Sequence, residues 1–204
     1  LSPEDHLRAV SNETDSALLS SCGRPTMFAE VEIMDETGRI LPQGERGEIV
    51  ARGNLVMAGY YKDPQATDEV SGFGWHHTGD IGWKDAEGYV YIVDRKRDMI
   101  ISGGFNIFTT EVEAALMAHP AVLNCAVIGI PDDKWGEAVK AVVELKPGET
   151  AEPDELIAHC KTALGSVKSP KTIDIWDELP RSPVGKILKR SIRDQFWSTQ
   201  NRAV

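Results

Sequence analysis

The chain has 204 residues, 41% hydrophobic and 26% charged, enough apolar content for one large or two small cores of an ordinary globular protein. Its 22 Lys and Arg against 32 Asp and Glu leave a formal charge of −10, which argues against nucleic acid or an anionic membrane as a partner for the whole surface. Cys22, Cys125 and Cys160 are far apart with no Cys-x-x-Cys spacing, so neither a zinc site nor a disulfide framework is indicated, a reducing cytoplasm is the expected location, and no apolar run approaches transmembrane length.

In chain order, residues 1 to 24 are polar with scattered Leu and Ala and read as loop or short helix. Phe28 to Met34 alternates apolar and polar and predicts a strand. Asp35-Glu36-Thr37-Gly38 supplies a turn, and Gly47 to Gly53 a second short strand. Gly59 to Pro64 reads as loop, and Trp83 to Gly88 as a turn into an apolar strand, Tyr89 to Val93. This half is mostly β, with turns at the spacing of a small barrel or sandwich.

After Arg97 helices enter. Thr110 and Glu113 spell a Thr-x-x-Glu capping box, opening a helix that puts Val112, Ala115 and Leu116 on one face and stops at His119-Pro120. Val122 to Ile130 and Ala138 to Leu145 read as strands. Pro153 opens a helix with Leu156, Ile157, Cys160 and Leu164 on one stripe, ended by Gly165. Ile173 to Trp176 is a further strand. Ile187 to Trp197 is a final helix with Leu188, Ile192 and Phe196 at i, i+4 and i+8. The order α-β-β-α-β-α implies a compact α+β domain of about a hundred residues.

Charge is uneven. From residue 165 onward eight Lys and Arg meet four acids, +4 on a chain otherwise −14, which reads as a solvated helix face and also suits a part that closes over phosphates.

Four segments carry chemistry. In Pro180-Arg181-Ser182-Pro183-Val184-Gly185-Lys186, prolines and a glycine build a rigid turn that presents one ammonium, a way to hold a point charge against phosphate or carboxylate oxygens. In Trp75-His76-His77-Thr78-Gly79-Asp80, an Asp just after a glycine turn can accept two hydrogen bonds from a cis-diol. The tripeptide alone reads sooner as a turn Asp bonded to its own backbone. His76 and His77 read as loop residues, with no third ligand at metal spacing. Asp94-Arg95-Lys96-Arg97-Asp98 falls where the halves meet. It reads as a solvated linker, or as a hinge whose arginine reaches a phosphate or ribose. Gly103-Gly104 permits close backbone approach to a narrow ligand, or a tight bend.

In chain order the four segments resemble the C-terminal third of the AMP-forming acyl-CoA synthetases, an adenylate-forming superfamily that includes firefly luciferase and the adenylation domains of peptide synthetases. The resemblance implies that Asp80 and Arg95 bind the nucleotide and that Arg97 is the hinge, where the family usually has Lys or Asp. It implies that Gly103, Gly104 and Phe105 line the CoA thiol tunnel, and that Lys186 is catalytic in adenylation. Pro180-Arg181-Ser182 stands where the family often has Pro-Lys-Thr. Phe105-Asn106 and the stretch Gly129 to Glu137 look most like fatty-acyl and related CoA ligases.

The implied organisation is a β subdomain of the large adenylating domain at 1–94, part of a β-barrel, a hinge at 95–97, and a mobile α+β domain at 98–204. The implied substrates are a carboxylic acid (a fatty acid), ATP, giving AMP, and CoA, with Mg held outside this chain. The family's phosphate loop ending in Pro-Lys-Gly and its Tyr-Gly-x-Thr-Glu segment do not occur here. An N-terminal part of the same protein is therefore the expected partner, and the 204 residues are expected to be inactive alone. Two other readings stay open: a stand-alone binding module that no longer catalyses, and an adenylating enzyme whose acceptor is a carrier-protein phosphopantetheine.

Overall fold

A computed structural model describes residues 1–197; residues 198–204, with Arg202 of the basic tail, lie outside the described residues. The chain divides into two compact units, Leu1–Lys96 and Arg97–Val204.

The first unit opens with α1 (Pro3–Ser11), held by a reciprocal box in which the Ser2 hydroxyl accepts from Asp5 N and the Asp5 carboxylate accepts from Ser2 N. A 3-10 helix, Glu13–Ser20, follows. Strands β1 (Ala29–Met34), β2 (Gly47–Gly53), β3 (His76–Lys84) and β4 (Val90–Arg95) form an antiparallel meander in the order β1-β2-β3-β4. A short helix, α2 (Pro64–Glu69), follows the stretch Gly59 to Pro64 that reads as loop, within the long β2–β3 connection; Asp63 caps it by accepting from Ala66 N. The period of two sorts the side chains by face. Ile33, Ile49 and Val90 gather on one face, and Met34, Val50 and Trp75 on the other. The expected barrel is not closed: this sheet is open, with β1 and β4 at its edges.

The second unit begins with a hairpin absent from the sequence reading, β5 (Ile100–Ser102) and β6 (Phe105–Ile107). Then come α3 (Thr109–Met117), β7 (Val122–Asp132), β8 (Gly136–Leu145), α4 (Pro153–Lys168), β9 (Thr172–Ile175) and α5 (Lys189–Arg193). The sheet runs β6-β5-β8-β7, with β9 parallel to β8. β7 and β8 read as continuous apolar runs because both faces are covered. Cys125, Val127, Val139, Ala141 and Val143 pack against Val112 and Leu116 of α3 and Leu156 and Cys160 of α4. Ala126, Ile128 and Val142 face the other way, against Leu179 and Ile192.

Two local expectations need correcting, at α3 and at the final helix, and one, at Gly165, holds. Helix α3 starts at Thr109 with Phe108 at its N-cap, so Thr110 lies inside the helix rather than capping it. Gly165 does end the regular part of α4, at φ +77°, before one more turn. The final helix is only Lys189–Arg193, because the segment before it is spent on a loop hydrogen-bonded to itself.

Candidate functional site

Thr78-Gly79-Asp80 is not a turn but a bulge inside β3. Glu48 pairs with Ile81 and Val50 with His77, so three residues of β3 lie opposite Ile49 alone. Gly79 takes the left-handed conformation this requires, φ +72°. The Thr78 hydroxyl donates to Ile49 O at 2.7 Å and accepts from Asp80 N at 3.2 Å, fixing the bulge. Asp80 thereby comes into register with Arg95 at the end of β4, and Arg95 Nε lies 2.9 Å from Asp80 Oδ1. The Asp80 side chain is 23% exposed and that of Arg95 59%, so both are reachable. A carboxylate has about four lone-pair positions, so Asp80 can hold Arg95 and still accept from a diol.

Beneath this pair lies Glu48, a residue the sequence reading passed over. It is buried, and its carboxylate lies 2.9 Å from both His77 Nδ1 and Lys96 Nζ and 3.3 Å from Gly79 N. Burial alone would raise its pKa; the hydrogen bonds from His77 and Lys96 outweigh burial and hold it below the ordinary carboxylate value. The available signal was one acid within the strand run Glu48-Ile49-Val50-Ala51, since a charge placed in a buried strand needs partners.

In the second unit, Gly103 and Gly104 form the two-residue turn of the β5–β6 hairpin, at φ +57° and +82°, between the paired Ser102 and Phe105. Gly103 N donates to Trp135 O at 2.9 Å, and a Cβ on Gly103 would fall 2.6 Å from the indole. Gly104 faces open space, and Phe105 is exposed. Lys186 lies in a second tight loop. Gly185 N donates to Ser182 O, Ser182 N to Lys186 O, and Lys186 N to the Ser182 hydroxyl. Leu179 and Ile192, both fully buried, fasten the segment on either side, and the Lys186 side chain is left exposed. The Arg181 guanidinium bonds Gly185 O at 3.3 Å and Glu144 at 2.9 Å, tying the loop to β8.

Residues 6–61 match the AMP-binding enzyme family, and residues 111–186 the AMP-binding enzyme C-terminal domain, a match that ends on Lys186. The medium/long-chain-fatty-acid–CoA ligase FadD8 of Mycobacterium tuberculosis is 46% identical over 202 residues, covering 96% of this chain and 35% of that protein. The chain belongs to the AMP-forming acyl-CoA synthetase family. A feruloyl-CoA synthase of Amycolatopsis is 47% identical over 87% of this chain and 36% of its own length. The crystal structure of ATP-bound MatB from Rhodopseudomonas palustris superposes with a TM-score of 0.81 at 35% identity, over 87% of this chain and 36% of that one. The chain thus spans about a third of the length of the relatives it matches. This acyl-CoA synthetase chain has, among its described residues, no group of three or more His, Cys, Asp or Glu placed to hold a metal ion, and no helix long and apolar enough to cross a membrane.

Proposed function

We propose that this chain carries the nucleotide grip, the hinge, the thiol-tunnel turn and the adenylation lysine of a longer AMP-forming ligase. That ligase joins a carboxylic acid, a fatty acid first among the candidates, to CoA. The observation that carries this reading is the Asp80–Arg95 pair, held in register by the bulge and followed within two residues by Arg97, the first residue of the second unit. In the first half-reaction a substrate carboxylate oxygen attacks the α-phosphorus of ATP, the bond to the β-phosphate oxygen breaks, and pyrophosphate leaves. Asp80 accepts from the ribose hydroxyls, and Arg95 donates to the ribose or phosphate. Lys186 offsets the negative charge gathered between carboxylate and α-phosphate. In the second half-reaction the CoA sulfur attacks the acyl carbon and AMP leaves. The second unit turns about Arg97 between the steps, withdrawing Lys186 and bringing Gly103-Gly104, which leave the pantetheine room, to the acyl group. Magnesium bound with ATP would neutralise phosphate charge, and no residue of this chain is assigned to it.

The test is the full-length protein carrying this chain, assayed for pyrophosphate and AMP release with ATP, CoA and a panel of carboxylates. Lys186→Ala is expected to slow adenylation roughly 10²–10³-fold while sparing thioester formation from supplied acyl-adenylate. Equal loss in both half-reactions removes the role of Lys186, and no release with any carboxylate removes the ligase reading.

A further inference from the structure

The junction at Arg97 is bounded by an anchor on each side, each inside its own unit. On the near side Lys96 Nζ reaches Glu48 at 2.9 Å, and Lys96 N donates to Gly79 O at 2.8 Å. Glu48 also accepts from Gly79 N at 3.3 Å and lies 2.9 Å from His77 Nδ1. Gly79, the pivot of the bulge beside Asp80, is therefore held through both its N–H and its carbonyl. On the far side Arg193 Nη1 donates to Arg97 O and to Asp98 Oδ1, both at 3.2 Å. The Arg193 and Asp98 side chains are 15% and 16% exposed, so this anchor is largely out of water. The backbone between the two anchors is the Lys96–Arg97 link.

We propose that Glu48 is a positioning residue which, through Lys96, fastens the end of the first unit to the Asp80 bulge. With Arg193 as its counterpart, it confines turning to the Lys96–Arg97 link. This deepens the ligase reading and rests on it for the turning motion. The physical reason is entropic: a pivot with loose ends samples many orientations of the second unit, and only a few place a reacting group correctly. A buried carboxylate with a lysine, a histidine and a backbone N–H on it is a stiff anchor, because each partner left unmade would be costly.

The two side chains separate the effects. Glu48 contacts both the bulge and the junction, whereas the Lys96 ammonium, among the described residues, bonds Glu48 alone. In the full-length protein, Lys96→Met is expected to leave the KM for ATP and the adenylation burst within about 2-fold of wild type. The same variant slows the thioester phase about 10-fold. Glu48→Gln additionally raises the KM for ATP, and Lys96→Arg, which keeps a cation on Glu48, restores the thioester phase.

A second readout needs no turnover: native-state cleavage by trypsin after Arg97, which requires local opening of the junction. It is expected to rise about 10-fold in Lys96→Met and Glu48→Gln and to stay near wild type in Lys96→Arg. Wild-type cleavage and a wild-type ratio of the two phases in Lys96→Met overturn the proposal. If the wild-type protein makes no acyl-adenylate, the ligase reading fails, and the cleavage rates alone still decide whether the anchor exists.

Discussion

The two units solve the same problem, covering an antiparallel sheet, with different completeness. In the second unit one continuous cluster joins the hairpin, α3, α4 and the sheet, while a second cluster from residues 179–196 covers the opposite face. In the first unit the buried apolar side chains fall into three small, separate clusters, and Met27 and Tyr61 are 88% and 86% exposed. Polar tethers take a larger share of the work there. Asp5, Glu30, Asp35 and Glu87 are held below the ordinary carboxylate range by hydrogen bonds from Tyr89, Arg52, Thr37 and Arg8. In the second unit burial pushes the Cys125 thiol up to about 12 and the Cys160 thiol to about 11. The contrast fits the proposed roles: a unit proposed to turn as a body must hold its own shape, since a lysine proposed to act in adenylation is useful only in a fixed place.

Core truncation tests this contrast most severely. Leu116 is fully buried in the large cluster and Ile33 is 2% exposed in a small one. Leu116→Ala is expected to cost about 4 kcal/mol, because its neighbours are fixed on several sides and cannot close over the cavity. Ile33→Ala is expected to cost about 2–3 kcal/mol, because a small cluster at an open sheet collapses more easily. Urea unfolding followed by circular dichroism measures both. A larger loss for Ile33→Ala would break the comparison.

The glycine turn sharpens it within the second unit. Gly103 and Gly104 both have positive φ, so alanine at either is expected to cost about 1–2 kcal/mol in backbone strain. Only at Gly103 would the added Cβ also strike the Trp135 ring, at 2.6 Å, whereas at Gly104 it meets nothing within 4 Å. Gly103→Ala should therefore be the more destabilising by about 1 kcal/mol or more, and it alone should change the tryptophan fluorescence. Equal losses, with unchanged fluorescence in both, would mean that the indole moves aside freely.

What could be read from the sequence follows the range of the forces involved. β2, the covered strands β7 and β8, and the stop at Gly165 were legible, because local pattern and tertiary burial agree there. The β5–β6 hairpin was not, since three-residue strands are too short to show a period; its glycine pair alone reads equally as a tight bend or as a close approach to a narrow ligand. Residues 187–197 have a helical stripe, yet the Ser182–Lys186 loop and its return bond from Leu188 N to Pro180 O consume the first turn. At the site, local physics marked the segments of Asp80, Arg95, Arg97 and Lys186 but left alternatives open, and the specific roles came from a motif resemblance. The bulge that aligns Asp80 with Arg95 depends on Glu48 and Ile49, about thirty residues away in sequence, and a tripeptide could not reveal it.

The smallest expected effect concerns acid. Asp5 accepts from Ser2 N at 2.9 Å and from the Tyr89 hydroxyl, and Arg24 approaches at 3.6 Å. These contacts, the Tyr89 bond first, hold its carboxyl down at about 2 against an ordinary 3.8. A carboxyl with a lowered folded pKa contributes stability that is present in full above its unfolded value and is lost as pH falls through the folded one. The contribution of Asp5 should accordingly be intact above about pH 4 and fade between pH 4 and pH 2. Thermal melts of wild type and Asp5→Asn across that window should converge as pH falls, with the variant the less stable at neutral pH. The convergence should appear in the first unit, where Trp83 stacked on Tyr91 at 4.3 Å beside the Asp5–Tyr89 contact provides a local fluorescence probe. Parallel curves, with the same gap at pH 2 as at pH 7, would mean that Asp5 acts through shape rather than charge. The first unit would then owe less to its polar tethers than the contrast with the second requires.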